Sequence, residues 1–134
     1  MGLIAALEWQ AQEFESRTGI PCRVALPHDL PQLGAECSTA IFRIFQESLT
    51  NVARHAHATQ VDARLELEPT HIVLQVRDNG RGFDPGKVKA SKSLGLVGMQ
   101  ERALLLNGEL QIEGVPDAGT TVTLRVPFFP SILL

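Results

Sequence analysis

Four polar side chains with catalytic or metal-binding chemistry lie in a row on one predicted helix. Glu47 and Asn51 are four residues apart in a segment of helical periodicity, so both project from the same face. Arg54 and His55 follow one turn later on that face. A carboxylate, an amide and two basic groups in this order suit a site in which Asn51 holds a metal ion and Glu47 orients or deprotonates a nucleophile. A solvated helix face has the same pattern, and a neighbouring pocket is needed to separate the two interpretations.

A further candidate residue, Asp78, closes a short apolar segment. In Ile72–Asp78 the alternate positions are Ile, Leu, Val and Asp, so strand parity predicts that Asp78 points towards the core. Burial of a carboxylate is costly unless hydrogen-bond donors surround it. Gly80 and Gly82 follow at once, and glycines let the backbone turn sharply or approach a ligand closely. A capped turn is the alternative interpretation, because Asp-Asn-Gly is common in turns.

Two more features place polar groups near such a pocket. Gly95 and Gly98 stand at the start of a predicted helix, where free backbone N–H groups and the helix dipole favour a phosphate. The same pair also suits tight helix packing, and the sequence contains no GxxxxGK(S/T) phosphate-binding motif. Thr120 shares strand parity with Val122, so its hydroxyl faces inward. Together these features predict a hole for a flat base with an exocyclic amine, next to backbone that can close over phosphates.

The elements that must position these residues follow from hydrophobic periodicity. Three segments are predicted as helices and five as strands, namely helices 3–17, 35–56 and 94–106 and strands 22–26, 61–67, 72–78, 110–112 and 120–126. Glycine, proline, lysine and serine are frequent in 79–93, which predicts a mobile loop. Paired strands between helices predict an α+β two-layer sandwich, with helices on one face of a mixed, mostly antiparallel sheet.

Size and composition restrict the class of protein. A chain of 134 residues is large enough for one domain. Its net charge of −3 shows no basic excess, which argues against nucleic-acid binding. No segment approaches the ~20 apolar residues of a membrane span, and the N-terminus lacks the pattern of a signal peptide. Cys22 and Cys37 form no CxxC pair, so we interpret them as reduced thiols of a cytoplasmic protein.

Four ordered motifs within about 36–127 resemble the ATP-binding domain of sensor histidine kinases, in the Bergerat-fold superfamily of gyrase, chaperone, histidine kinase and MutL ATPases. They are the N box, two glycine boxes and a final Gly-Thr motif, at Gln46–Ala56, Asp78–Phe83, Ser93–Ala103 and Gly119–Val122. The runs Gln-Glu-Ser-Leu-Thr-Asn and Gly-Met-Gln-Glu-Arg-Ala are most similar to the nitrate-sensor-like subfamily, whose partner regulators usually carry helix-turn-helix output domains.

The resemblance implies a role for each matching residue. Asp78 would accept a hydrogen bond from the adenine amino group, with Thr120 helping through water. Asn51 would ligate Mg²⁺, and Glu47 would be the base or polarising group. The other residues implied in ATP binding, some of them hinges of a mobile lid at about 83–94, are Arg54, His55, Gly80, Gly82, Gly95, Leu96 and Gly98. Many relatives have lysine where this chain has Arg54, a difference that we expect to be tolerated.

A histidine kinase also needs an acceptor histidine on a dimerising helix, and none of the four histidines suits that role. Pro27 and Pro31 bracket His28 and prevent a helix there, while the others fall at a helix end or a strand start. We therefore expect 1–134 to be a single catalytic domain that binds ATP, is mainly monomeric and cannot phosphorylate itself. The resemblance implies two partners, the dimerisation and histidine phosphotransfer domain of the same kinase and a response regulator.

Three other functions are compatible with the same fold. An anti-sigma-type serine kinase would phosphorylate a protein serine in trans and would need no acceptor of its own. A non-catalytic binding module would keep the fold without ATP, although Glu47, Asn51 and Asp78 are all present. A gyrase-like ATPase is disfavoured, because the sequence contains no transducer domain of the kind that such enzymes use.

Overall fold

The computed structural model describes residues 2–82 and 95–128, with the backbone alone at 55 and 56. In chain order the elements are α1 (Leu3–Thr18), β1 (Cys22–Ala25), α2 (Ala35–Asn51), a π-helical turn (Val52–Ala56), β2 (Val61–Leu67), β3 (His71–Asp78), α3 (Leu96–Leu105), β4 (Glu109–Val115) and β5 (Gly119–Pro127). The predicted lid at 83–94 lies outside the described residues. Within the described ranges, no helix combines the length and the apolar character that a membrane span requires.

The strands form one sheet in the order β1-β2-β3-β5-β4. β1 pairs with β2 in parallel, and the other neighbouring pairs are antiparallel. The prediction of a mixed, mostly antiparallel sheet is therefore confirmed. The last strand, β5, lies between β3 and β4, so that Asp78 of β3 and Thr120 of β5 are directly opposite each other.

Helices cover one face of this sheet. In β2 every second residue from Val61 to Leu65 is buried, whereas the residues between them are exposed. Helix α2 buries Ile41, Ile44, Phe45, Ser48 and Leu49, which recur at helical spacing. Helix α1 buries Leu7, Gln10, Ala11 and Phe14. Removal of these apolar surfaces from water stabilises the two layers by roughly 25 cal/mol per Å², and the predicted α+β sandwich is confirmed.

The segment 35–56, predicted as one α-helix, changes to a π-helical turn after Asn51. The prediction was wrong for its last 5 residues, whose hydrogen bonds reach one residue further than in an α-helix. His57 ends the turn in a left-handed conformation with φ of 51°. Periodicity does not indicate this change, because the buried stripe stops at Val52. After the turn, the backbone N–H groups of Thr59 and Gln60 donate hydrogen bonds to Asn79.

Among the other elements, the start of helix α3 and the end of strand β4 differ from the predicted boundaries by more than one residue. Helix α3 begins at Leu96, because Gly95 takes the N-cap position with φ of 67°; residue 94, the predicted start, lies outside the described residues. Strand β4 covers all of Glu109–Val115 rather than 110–112, since each of its 7 residues pairs with β5. The sequence prediction was too short because Gly114 has no side chain and therefore interrupts the apolar alternation that indicates a strand.

Candidate functional site

The carboxylate of Asp78 is buried at the end of β3, where 6% of the residue is exposed. Ile72, Leu74 and Val76 share its side of the strand and belong to the core, as strand parity predicted. The backbone N–H of Gly80 donates a hydrogen bond of 2.8 Å to Oδ1 of Asp78. An ionised carboxylate has about four acceptor positions, so part of its hydrogen-bonding capacity is available to a ligand.

Burial also changes the acidity of this group. Desolvation has the largest effect and raises the pKa of Asp78 above its ordinary value. Backbone hydrogen bonds from Gly80 and Thr120 lower the pKa, because they favour the ionised form. The hydrogen bond from Gly80 is that of the capped turn named as the alternative, and the buried, apolar surroundings of Asp78 are also those of a binding site.

Thr120 lies directly opposite Asp78 in the pairing of β3 with β5. It is half-buried, and the buried residues Val122 and Leu124 share its side of the strand. The Thr120 side chain is therefore on the helix-covered face, as the sequence predicted. The structure thus brings the predicted acceptor and the predicted hydroxyl together from two strands that are distant in the chain.

Gly82, the second glycine after Asp78, packs closely against the turn between β4 and β5. Gly82 has φ of 62°, and a Cβ at this position would collide with the backbone carbonyl of Val115. The carbonyl of Arg81 accepts a hydrogen bond of 2.7 Å from the backbone N–H of Asp117 in the same turn. A packing requirement that the sequence did not indicate therefore explains the glycine at position 82. Its role as a lid hinge stays a prediction.

Glu47, the predicted catalytic residue, lies against the start of α3. It is half-buried, and a Cβ on Gly95 would collide with its carboxylate. The φ of 67° at Gly95 also disfavours any side chain there. The structure therefore brings the N box and the second glycine box together at these two residues.

The other polar residues of the N box differ in their surroundings. Asn51 is half-buried at the last position of α2, one turn after Glu47. Arg54 is exposed in the π-helical turn, so it does not continue the α-helical face in the register that the sequence predicted. The side chain of His55 lies outside the described part of the chain. Contacts of Arg54 and His55 with phosphate stay predictions.

Leu96 and Gly98 lie in the first turn of α3. Leu96 is half-buried and packs against the hydrophobic core. At Gly98, the nearest atom to an added Cβ would be Nη1 of Arg102, at 3.3 Å. The contacts described for these two residues are thus packing contacts, and their predicted role in ATP binding stays a prediction.

Asn79 makes contacts that the sequence did not indicate. Its Oδ1 accepts hydrogen bonds from the backbone N–H groups of Thr59 and Gln60, at 2.9 and 3.0 Å. Its Nδ2 donates to Oγ1 of Thr59 at 2.9 Å. The residue next to Asp78 is therefore tied to the chain that follows the π-helical turn. Its sequence signal was asparagine in a turn, which turn propensity alone explains.

Known proteins similar to this chain include histidine kinases. The family described as "Histidine kinase-, DNA gyrase B-, and HSP90-like ATPase" matches residues 37–130. Over 127 residues the chain is 36% identical to the signal transduction histidine-protein kinase/phosphatase DegS of Brevibacillus brevis. It is 35% identical, also over 127 residues, to the oxygen sensor histidine kinase NreB of Staphylococcus carnosus. These alignments cover 95% of this chain but 33% and 37% of the relatives, so the chain spans about a third of their length.

Solved structures agree with this result at the level of the fold. The blue-light activated histidine kinase of Erythrobacter litoralis EL346 has a TM-score of 0.76 at 23% identity, covering 95% of this chain and 42% of that one. The mycobacterial sensor histidine kinase MprB has a TM-score of 0.72 at 19% identity, covering 97% of both chains. The resemblance to histidine-kinase ATP-binding domains, predicted from four ordered motifs, is confirmed: the chain belongs to the family of histidine kinase-, DNA gyrase B- and HSP90-like ATPases.

Proposed function

We propose that this chain is the Mg²⁺–ATP-binding catalytic domain of a two-component sensor histidine kinase. It donates the γ-phosphoryl group of ATP to a histidine on a separate dimerisation domain, from which a response regulator receives it. The observation that carries the proposal is the buried carboxylate of Asp78, opposite Thr120, in a chain of this ATPase family. Burial of the carboxylate costs free energy, which a ligand with hydrogen-bond donors at this position would offset.

Asp78 and Thr120 suit the amino edge of adenine. The ionised Asp78 carboxylate has no donor and can only accept hydrogen bonds, and an exocyclic amine offers the donor that it needs. The Thr120 hydroxyl both donates and accepts, so it can bond to the base directly or through a water molecule. The apolar residues around Asp78 suit the flat faces of the ring.

Asn51 and Glu47 suit the phosphate end of the nucleotide. A side-chain amide oxygen is one of the hard ligands that Mg²⁺ prefers. Among the described residues no group of three or more His, Cys, Asp or Glu side chains is placed to hold a metal ion, so Asn51 would share the ion with phosphate oxygens and water. When bound, Mg²⁺ neutralises charge on the phosphates during transfer. Glu47, one turn before Asn51, would orient or deprotonate the attacking group, and Arg54 and His55 would balance phosphate charge.

A lid at 83–94 would close over the phosphates in this proposal. Gly82 and Gly95 border it, with φ of 62° and 67°. A side chain at either position would collide, with the carbonyl of Val115 or with the carboxylate of Glu47. We propose that these two closely packed glycines are the points about which the lid moves, with Gly80 and Gly98 beside them.

The relatives support a histidine kinase over other members of the family. DegS is named as a histidine-protein kinase/phosphatase and NreB as an oxygen sensor histidine kinase. By analogy, this chain would act in the cytoplasm with the phosphotransfer domain of its own kinase and with a response regulator of the helix-turn-helix type. The same names disfavour an anti-sigma-type serine kinase, and the combination of Glu47, Asn51 and Asp78 disfavours a module that has lost ATP.

Calorimetric titration with ATP, with and without Mg²⁺, tests the nucleotide site. The wild-type protein is expected to bind ATP saturably and more tightly with Mg²⁺. Asn51→Ala is expected to weaken binding with Mg²⁺ by about 10- to 100-fold, because a ligand to a charged group is lost, and to change binding without Mg²⁺ far less. Gln111→Ala, which removes an exposed amide on β4, is the matched control and should bind as the wild type does. A folded wild-type protein that binds no ATP would favour the non-catalytic module.

Incubation of the isolated chain with γ-labelled ATP tests whether the chain can phosphorylate one of its own histidines. We expect no acid-labile label on the chain, since none of its four histidines suits the acceptor role. His71 is in β3 and His57 follows the π-helical turn. Acid-labile label on any of the four would contradict this expectation.

A further inference from the structure

We propose that Asn79 is a positioning residue of the nucleotide site. It holds Thr59 and Gln60, which follow the π-helical turn, at a set place relative to the adenine acceptor Asp78. The proposed phosphate-side groups lie on α2 and the π-helical turn, just before this segment. This inference rests on the proposed function and extends it to a residue whose described contacts are all with protein.

Four hydrogen bonds join Asn79 to two residues before β2. Three involve its side chain, which accepts from the backbone N–H groups of Thr59 and Gln60 and donates to the Thr59 hydroxyl. In the fourth, the backbone N–H of Asn79 donates to the carbonyl of Gln60 at 3.3 Å. Asn79 is exposed, so water would satisfy these groups if the bonds were absent. What the bonds supply is therefore a fixed geometry between two segments of the chain.

The segment that Asn79 holds follows the π-helical turn directly. Ala58 is 8% exposed and belongs to the core, so it fixes one end of the short path to β2. Asn79 fixes the other end at Thr59 and Gln60. His57 lies between the π-helical turn and this fixed path, in a left-handed conformation that few residues adopt freely. The chain that leaves the π-helical turn, on which Arg54 is exposed, is therefore held at Ala58 by the core and at Thr59 and Gln60 by Asn79.

Asp78 and Asn79 are consecutive, so one stretch of backbone carries both the adenine acceptor and the residue that holds the segment after the π-helical turn. The Asp78 side chain is buried on the core side, whereas that of Asn79 reaches residues 59 and 60. A displacement of Thr59 and Gln60 from the end of β3 would therefore break these bonds. ATP must contact both ends at once, and loss of one hydrogen bond to a charged phosphate weakens binding by about tenfold or more. Adenosine uses the adenine end alone and should be insensitive.

The experiment compares Mg²⁺–ATP and adenosine as ligands of the wild type and of Asn79→Ala. NMR titration measures both dissociation constants, including weak binding of adenosine. We expect Asn79→Ala to raise the dissociation constant for ATP by about tenfold or more and that for adenosine by no more than about threefold. A residue with a purely structural role would lower the melting temperature and leave the ratio of the two constants unchanged.

Two further variants keep the test decisive. Thr59→Val removes only the partner of the Asn79 side-chain N–H, so it should shift the ratio in the same direction by less; it decides the matter if Asn79→Ala does not fold. Gln75→Ala removes a hydrogen bond of 3.3 Å to Thr123 on the open face of β3 and should leave the ratio at its wild-type value.

The outcomes separate this inference from the proposed function. If the wild type binds both ligands and Asn79→Ala weakens them equally or not at all, the positioning role is overturned and the nucleotide site stands. If the wild type binds neither ligand, the proposed function fails and the inference fails with it. An ATP-selective loss that is graded between Thr59→Val and Asn79→Ala supports both.

Discussion

Replacement of Asp78 by asparagine is expected to weaken ATP binding by at least about 100-fold. A charge-assisted hydrogen bond is lost, and the side-chain amide N–H₂ then faces the amino group of adenine, so that two donors oppose each other. The side chain keeps its size, so the strand that carries it keeps its packing. Backbone N–H groups of Gly80 and Thr120 already point at the carboxylate, and they leave the new amide one oxygen for all donors. Calorimetric titration with Mg²⁺–ATP measures the loss directly.

Asp62→Asn is the matched control for this substitution. Asp62 has the same side chain on a neighbouring strand but lies on the exposed face of the sheet. It should bind ATP with the affinity of the wild type. An Asp78→Asn protein that keeps its ATP affinity to within about threefold, less than 1 kcal/mol, would show that adenine does not use this carboxylate.

The same substitution should change how stability depends on pH in the absence of ligand. Burial raises the pKa of Asp78 in the folded protein above its ordinary value of 3.8. An acid whose pKa is higher in the folded than in the unfolded state binds its proton more tightly when folded, so stability is lost as pH rises between these two pKa values. The free energy of unfolding of the wild type, relative to Asp78→Asn, should therefore fall as pH rises from 3.8 and level off above the raised pKa.

Gly119→Ala is expected to destabilise the fold by about 3 kcal/mol or more, since it adds backbone strain to a steric collision. Gly119 has φ of 104°, which L-residues rarely adopt, and a Cβ there would collide with the backbone carbonyl of Asp78. Relief of the collision requires β5 to move away from the end of β3, where Asp78 faces Thr120. Chemical denaturation measures the stability, and ATP affinity should fall in whatever fraction remains folded.

Gly19→Ala separates the two causes of this loss. Gly19 ends α1 with φ of 75°, but no atom lies within 4 Å of an added Cβ. Its cost should be that of the left-handed conformation alone, about 1 kcal/mol, with ATP affinity unchanged. Equal costs for the two variants would contradict the claim that close approach between β3 and β5 requires the glycine at 119.

Strand parity and helical periodicity were sufficient to predict the direction of the main site residues. Alternation along Ile72–Asp78 predicted that Asp78 faces the core, and the structure confirms it. Helical periodicity likewise predicted a helix from residue 35, and the structure has α2 over Ala35–Asn51. These inferences succeed because the repeat of a strand or helix determines which face a side chain takes, whatever its neighbours are. The order of the four motifs then identified the family.

Strand order could not be predicted in this way. No local pattern places β5 between β3 and β4, yet this arrangement sets Thr120 opposite Asp78 and Gly119 against its carbonyl. The choice of partner depends on how all the apolar faces fit together, which is a property of the whole sheet. The close contact of Gly82 with the β4–β5 turn likewise depends on this packing and has no signal in the local sequence.

The exit of the chain from α2 was likewise decided by tertiary contacts. Periodicity predicted a continuous helix to residue 56, but the π-helical turn begins at Val52. The hydrogen bonds of Asn79 to Thr59 and Gln60 hold the path that follows. Composition and periodicity thus determine which side chains are available and which way they face. The distance between two segments that are far apart in the chain depends instead on the packing of the whole core. Because the core is close-packed, one added methyl group or one lost hydrogen bond is enough to change that distance.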